Sequence, residues 1–222
     1  MMADAESVFV TGGTGYIGRP LVEGLLARGF SVHALVRTGS QARVPPGALA
    51  VIGDALDANT FASAIPRPVI IVHLVGTPHP GPAKAAEFVS VDLAAIRATT
   101  AAAVTAGATH IVYVSVAHPA PVMHAYIAAR TKGEELVRAT GIPATILRPW
   151  YVLGPGHYWP YLLVPFYALF RLLPATRADA LRLGLVKREA MVAALLQAVA
   201  TPRPDGVRIV EVPAIRAALA TS

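Results

Sequence analysis

Three glycines spaced three residues apart follow the first apolar segment of the chain. Residues 8–18 read Val-Phe-Val-Thr-Gly-Gly-Thr-Gly-Tyr-Ile-Gly, and a helical pattern follows them. The first glycine permits a tight turn, the second lets the backbone approach a pyrophosphate, and the third lets the helix pack on the strand. The helix start adds free N–H groups and a positive dipole end. The pattern predicts a dinucleotide site; the alternative is a glycine turn that only packs a strand on a helix. The residues expected to bind the cofactor here are Gly12, Thr14, Gly15, Tyr16, Ile17 and Gly18.

The end of the second apolar segment carries a cation. Residues 35–38 read Leu-Val-Arg-Thr. An acid at this place would bond the ribose 2′-hydroxyl of NAD, whereas the guanidinium fork of Arg37 suits the 2′-phosphate of NADP. The sequence therefore favours NADP(H), with NAD(H) as the second choice. The alternative is that Arg37 is an ordinary surface arginine.

Alternating apolar and helical segments predict how these residues are positioned. Valine- and isoleucine-rich strands are expected at 7–11, 31–36, 48–52, 69–75, 110–116 and 144–148, and helices at 18–28, 59–65, 83–106 and 123–140. Strands buried on both faces that alternate with helices indicate an α/β fold, a doubly wound parallel (Rossmann) sheet. Residues 1–153 are expected to form this dinucleotide-binding core. Residues 154–222, where a helix at 187–200 and a strand at 207–212 are expected, are interpreted as a small C-terminal cap packed on the same domain.

Several motifs resemble the extended and atypical short-chain dehydrogenase/reductase superfamily, whose members include NAD(P)H-binding and epimerase-like proteins. The motifs are 11–18, Gly53-Asp54-Ala55-Leu56-Asp57, Tyr113-Val-Ser115, Leu147-Arg-Pro149 and Val152-Leu-Gly154. The resemblance covers residues 7 to about 155. It implies that Asp54, with Ala55, accepts a hydrogen bond from the adenine amino group, although Asp54 is equally well explained as a turn residue. It also implies that Leu74, Val75 and Gly76, which follow the fourth strand, run close to the cofactor ribose.

The superfamily's usual chemistry uses a tyrosine as proton donor, a lysine four residues later, and a serine that orients the substrate carbonyl. Ser115 matches the serine. The helix that should carry the pair does not match, because Lys132 follows Ala128 by four residues and Tyr126 precedes Arg130 by four. A two-residue offset is about 200° of helix rotation, so Tyr126 and Lys132 cannot face the cofactor together in a regular helix.

Three interpretations of this offset remain open. The favoured one is that Lys132 holds the nicotinamide ribose and no tyrosine acid is present. In the second, Tyr126 and Arg130 form the pair, although arginine cannot lose its proton. In the third, the helix begins late and Tyr126 reaches inward from a loop. His124 is a further candidate acid. Asp92, where the family often has asparagine, also departs from the usual proton relay.

Aromatic side chains crowd into the start of the C-terminal segment. They are Tyr151, His157, Tyr158, Trp159, Tyr161, Phe166, Tyr167 and Phe170. Such a cluster can pack a small cap, line a pocket for an apolar substrate, or contact a membrane or protein surface. Cap packing is the interpretation we favour.

Composition bounds the remaining function classes. The 222 residues are 55% hydrophobic and include no cysteine, which excludes thiolate metal sites and cysteine nucleophiles, and we expect no metal. The net charge of +6 is scattered, so no nucleic-acid partner is expected; nor is a membrane span. A cytoplasmic location is expected, and a homodimer is among the expected assemblies.

The leading interpretation is an NADP(H)-dependent oxidoreductase or epimerase-like enzyme that acts on a small, largely apolar substrate. Hydride would pass from the nicotinamide while Ser115 holds the carbonyl. The alternative is a non-catalytic NAD(P)H-binding sensor or assembly subunit that lacks the Tyr-Lys dyad.

Overall fold

A seven-stranded parallel sheet organises the protein. The computed structural model describes residues 6–155 and 181–221, and elements are numbered over those residues. The strands are β1 Ser7–Thr11, β2 Ser31–Val36, β3 Leu49–Ile52, β4 Ile70–His73, β5 His110–Val114, β6 Ala144–Arg148, β7 Val152–Leu153, β8 Val186–Lys187 and β9 Val207–Glu211. The sheet order is β3-β2-β1-β4-β5-β6-β9, and β7 pairs with β8 in a separate parallel ladder. The predicted doubly wound α/β fold is confirmed.

Helices cover both faces of the sheet. They are α1 Gly18–Leu26, α2 Pro82–Ala106, α3 His124–Ala139, α4 Arg188–Ala200 and α5 Val212–Ala217. Alternate residues of each strand point to opposite faces, so the sheet has two apolar cores. Val8 and Val10 of β1 lie in the core shared with α1, α4 and α5. Phe9, between them, lies in the core shared with α2.

Helix α2 changes its winding part-way along. A short 3₁₀ turn and an α turn lead into a π-helical turn at Phe88–Leu93, and a regular α-helix follows over Ala94–Ala106. At 25 residues and a mean hydropathy of 1.3, α2 is long and apolar enough to cross a bilayer by those two measures. Half of the most apolar stretch of α2 is buried inside the protein, and Ile96 and Ala103 are fully buried against the sheet. This burial is that of a core helix.

The structure departs from the predicted element types at residues 59–65. Residues 59–65 form two 3₁₀ turns, Ala58–Thr60 and Ala62–Ala64, and not the predicted α-helix. Part of the segment interpreted as a cap, residues 154–222, also lies among the described residues. Its strand β9 pairs with β6 in the main sheet, and its helix α4 packs against α1. The described part of 154–222 thus extends the layers of the core itself, while residues 156–180 lie outside the described part of the chain.

Candidate functional site

The candidate site lies where the direction of the sheet connections reverses, between β1 and β4. The carboxyl ends of these strands, and of β5 beside them, meet at one edge of the sheet. In open parallel sheets this switch point is where ligands bind. Each of the three strands is followed by a loop that the sequence marked: the glycine-rich turn, residues 74–76 and Ser115.

The glycine-rich loop has the geometry of a diphosphate cradle. Gly12 has a φ of +78°, and a Cβ there would lie 3.0 Å from the backbone carbon of Leu74. The Gly15 N–H donates to the Gly12 carbonyl over 3.1 Å, and Gly15 itself is exposed. A Cβ on Gly18 would overlap the Gly12 carbonyl oxygen. These close approaches leave backbone N–H groups at the start of α1 open to an anion, so the residues fit the dinucleotide that the sequence implied.

The opposite end of the crevice carries the residues expected at the adenosine. Arg37 follows β2 and is exposed. Asp54 is also exposed, with Ala55 half-buried beside it, and its Oδ1 accepts the Leu56 N–H over 3.0 Å. The turn role of Asp54 is therefore present, and its exposed carboxylate is also open to an adenine amino group.

A buried arginine closes the strand ends at the centre of the site. Arg130 is only 5% exposed, and its Nη2 lies 2.7 Å from Asp92 Oδ1. Its Nη1 donates to the carbonyls of Val114, over 3.0 Å, and Val75, over 3.5 Å. A Cβ on Gly76 would overlap Arg130 Nη2, so the glycine leaves the room that the guanidinium fills.

Asp92 holds Arg130 from the π-helical turn of α2. It also accepts two hydrogen bonds from Thr77, from the N–H over 3.0 Å and from the hydroxyl over 2.5 Å. The π turn places this carboxylate beside the loop after β4. Asp92 and Arg130, the two positions where the sequence departs from the superfamily pattern, therefore pair with each other.

Tyr126 contacts Arg130, whereas Lys132 lies on the surface and pairs with Glu135. Helix α3 begins at His124, so Tyr126 lies in its first turn, and the interpretation that placed it in a loop is wrong. The Tyr126 ring centroid is 5.2 Å from the Arg130 guanidinium carbon and 4.9 Å from the Phe88 ring. Lys132 is exposed, with its Nζ 2.6 Å from Glu135. This placement favours the Tyr126–Arg130 pair over the interpretation that Lys132 holds the ribose.

His124 lies on the side of α3 away from Arg130. It is exposed and lines an outward groove together with Lys132, Pro119 and Glu135. Of the aromatic cluster, Tyr151 is half-buried and its ring meets that of Trp150 edge-on at 5.5 Å. His157, Tyr158, Trp159, Tyr161, Phe166, Tyr167 and Phe170 lie outside the described residues.

Ser115 is bound to a carboxylate that the sequence reading did not single out. It is 2% exposed and donates its hydroxyl to Glu134 Oε1 over 2.7 Å. Arg148 grips the same carboxylate with two hydrogen bonds of 2.9 and 2.6 Å, and His118 Nε2 lies 3.5 Å from it. Burial alone raises the pKa of Glu134, but the bonds from Arg148 and Ser115 outweigh it and hold the pKa below its usual value.

In this arrangement the Ser115 hydroxyl proton is engaged in a hydrogen bond to an ionised carboxylate. The serine is then a hydrogen-bond acceptor toward any further partner, and not the donor that a substrate carbonyl requires. Glu134 lies four residues after Arg130 on α3, and that spacing is the signal by which it could have been found.

Comparison with known proteins agrees with this geometry. Residues 12–156 match the family model of NAD(P)H-binding proteins. A ceramide reductase of Caulobacter vibrioides is 32% identical over an alignment of 162 residues that covers 70% of this chain and 50% of the reductase. A 4-hydroxy-2-methyl-3-oxo-4-farnesyl-3,4-dihydroquinoline-1-oxide ketoreductase of Stigmatella aurantiaca is 29% identical over an alignment of 168 residues that covers 66% of this chain and 50% of that protein. The match spans about half the length of each of these relatives.

A solved structure shows the same fold. A short-chain dehydrogenase/reductase superfamily protein of Agrobacterium tumefaciens, crystallised with bound NAD, superposes with a TM-score of 0.68 over 93% of this chain and 77% of its own. Its sequence identity is 20%, so the likeness extends to the fold alone.

Proposed function

This chain belongs to the family of NAD(P)H-binding proteins, and on that premise we propose that it is an NAD(P)(H)-dependent carbonyl reductase of the short-chain dehydrogenase/reductase type. The observation that carries the proposal is the Tyr126–Arg130 pair. A phenol and a permanent cation, four residues apart on one helix, lie together at the strand ends of the dinucleotide site.

Each of the residues at the strand ends has its own role in the proposed carbonyl reduction. The nicotinamide, when bound, supplies hydride to a carbonyl carbon. Tyr126 donates a proton to the carbonyl oxygen as general acid, and the cation–π contact with Arg130 holds its ring in place. Asp92 and Gly76 keep the Arg130 guanidinium at the strand ends, since one pairs with it and the other leaves it space.

NADP(H) is the cofactor that we propose over NAD(H). Arg37 is exposed directly after β2, and within residues 6–155 and 181–221 no ion pair with a carboxylate holds it. Its fork is available to a 2′-phosphate. Arg37→Ser should weaken NADPH binding about tenfold or more and leave NADH within about threefold, as measured by nucleotide fluorescence. Equal effects on both nucleotides would remove Arg37 from the cofactor choice.

A small, largely apolar carbonyl compound is the proposed substrate. The relatives' names, a ceramide reductase and a ketoreductase of a farnesyl quinoline, support a carbonyl compound with apolar parts. The half-buried Tyr151 and Trp150 rings after β6 provide apolar surface that suits such a compound.

Cofactor oxidation tests the proposal. The wild-type protein is incubated with NADPH or NADH and a panel of ketones and aldehydes, and loss of nucleotide absorbance is followed. Tyr126→Phe keeps the ring between Phe88 and Arg130 but removes the acid, so kcat should fall about 10²- to 10⁴-fold with cofactor affinity unchanged. Lys132→Gln is the control variant, because Lys132 lies away from the Tyr126–Arg130 pair. A large loss of cofactor binding in Lys132→Gln, with Tyr126→Phe fully active, would overturn the assignment.

A non-catalytic NAD(P)H sensor is the second candidate, and one observation favours it. The Ser115 hydroxyl donates its hydrogen bond to Glu134 and is almost fully buried, so the usual carbonyl-orienting donor is not available. Tight NADPH binding without oxidation over the whole carbonyl panel, and without any effect of Tyr126→Phe, would support the sensor against the reductase.

A further inference from the structure

Arg188, the first residue of α4, lies beside the glycine-rich loop although it is 170 residues away in the chain. The β7–β8 ladder pairs Val152 with Val186 and Leu153 with Lys187, which carries the start of α4 to this place. There the Arg188 guanidinium carbon lies 5.2 Å from the centroid of the Tyr16 ring. Tyr16 stands between Gly15 and Gly18, within the diphosphate cradle.

Close packing fixes this contact. A Cβ on Gly154 would overlap the Tyr16 hydroxyl and would lie 3.1 Å from Arg188 Cβ. Tyr16, Gly154 and Arg188 therefore fit together without spare room. The guanidinium is held on the tyrosine ring by a cation–π contact, and the position of the arginine is coupled to that of the loop.

Helix α4 itself gains nothing from a cation at this position. The first turn of a helix is the positive end of its dipole, where a positive side chain is unfavourable. The Arg188 pair with Glu189 is long, at 3.8 Å, and the two side chains are 27% and 56% exposed. Such an exposed pair contributes little. The charge of Arg188 is thus available to a ligand.

The glycine-rich loop itself brings no cation to the diphosphate. Residues 12–18 contain no charged side chain. Arg19, which follows them, is paired with Glu23 over 3.1 Å. A dinucleotide diphosphate brings two negative charges to these backbone amides. We infer that Arg188 supplies the positive charge that faces the diphosphate of the bound nucleotide, so that the C-terminal part of the chain completes the cofactor site. This inference rests on the proposed NAD(P)(H) binding.

The test is nucleotide binding, measured by calorimetry without any substrate. Arg188→Gln should raise the Kd for NADH, NADPH and ADP-ribose alike, by about tenfold, because all three carry the diphosphate. Arg188→Lys, which keeps a charge but loses the fork, should lose less. The loss should shrink at 0.5 M NaCl, where charges are screened. Arg28→Gln is the control. Arg28 and Arg188 both line a groove between α1 and α4, but the Arg28 guanidinium donates to the Gly24 carbonyl over 3.2 Å.

The outcomes separate the inference from the function beneath it. If the wild-type protein binds neither nucleotide nor ADP-ribose, the proposed function fails. If the wild-type protein binds them and Arg188→Gln binds equally well, the inference alone fails. A change confined to the KM of a carbonyl substrate would assign Arg188 to that substrate and would likewise overturn the inference. Thermal melts of each variant show whether it is folded.

Discussion

Replacing Asp92 with asparagine should cost the protein much of its stability, because it leaves a buried cation without its counter-charge. The Asp92–Arg130 pair is 2.7 Å long, and its side chains are 1% and 6% exposed. Asparagine keeps the size of the side chain and one oxygen for Thr77, but it removes the negative charge. Breaking a buried pair from one side costs about 3–5 kcal/mol. For a chain of this length each kcal/mol is about 2–4 °C, so Tm should fall by about 6–20 °C.

Urea unfolding and calorimetry of three variants measure this cost. Glu23→Gln breaks the exposed Arg19–Glu23 pair and serves as the control, with an expected loss below about 1 kcal/mol. The double variant Asp92→Asn, Arg130→Met removes both charges and should be more stable than Asp92→Asn alone. The reasoning is refuted if Asp92→Asn lies within 1 kcal/mol of wild type, or if the double variant is less stable than Asp92→Asn.

Three further predictions concern single positions. Gly76→Ala puts a Cβ on Arg130 Nη2 and should cost about 1–3 kcal/mol in urea unfolding; an unchanged midpoint would contradict the packing described here. Gly18→Ala puts a Cβ on the Gly12 carbonyl and should weaken nucleotide binding more than tenfold by calorimetry, whereas unchanged affinity would show that the loop yields freely. Burial, helped by the Arg130 charge, lowers the pKa of His73 to about 3. The unfolded chain binds this proton near pH 6.5, so each unit of acidification from 6.5 toward 3 should remove up to about 1.4 kcal/mol; His73→Gln should flatten that slope, and an unaltered slope would exclude His73 as its source.

The central strands were predictable because they are buried apolar segments between turn residues. Strands β1, β2 and β6 have the predicted bounds. Strand β4 ends at His73, two residues before the predicted end at Val75. There the chain leaves the ladder for the site, and the Val75 carbonyl accepts from Arg130. The periodicity of apolar residues cannot predict such a side-chain contact.

The missing α-helix at 59–65 has a local cause. Asp57 accepts the Asn59 N–H over 3.0 Å, and the Thr60 hydroxyl donates to the Asp57 carbonyl over 2.7 Å. Short polar side chains compete with helical hydrogen bonds in this way. Pro66 then disfavours α-helical geometry at Ile65. The apolar spacing alone, which favoured a helix, did not weigh these bonds.

The cofactor loop was readable from sequence, and the charged centre only in fragments. Glycines that permit close backbone approach are identified by type and spacing, as at Gly12 and Gly18. The sequence also showed that Asp92 and Arg130 depart from the family pattern. Their pairing depends on a π-helical turn in α2 and on the packing of α2 beside α3, which bring together residues 38 positions apart. The type of each residue alone therefore could not predict the Asp92–Arg130 ion pair.

The β7–β8 ladder makes the chain leave and return at neighbouring points, since Val152 pairs directly with Val186. An excursion whose two ends are clasped together places almost no demand on its own length, because closure entropy grows only slowly with loop size. The seven-stranded sheet is therefore expected to keep its register when the number of residues between Leu153 and Val186 is changed.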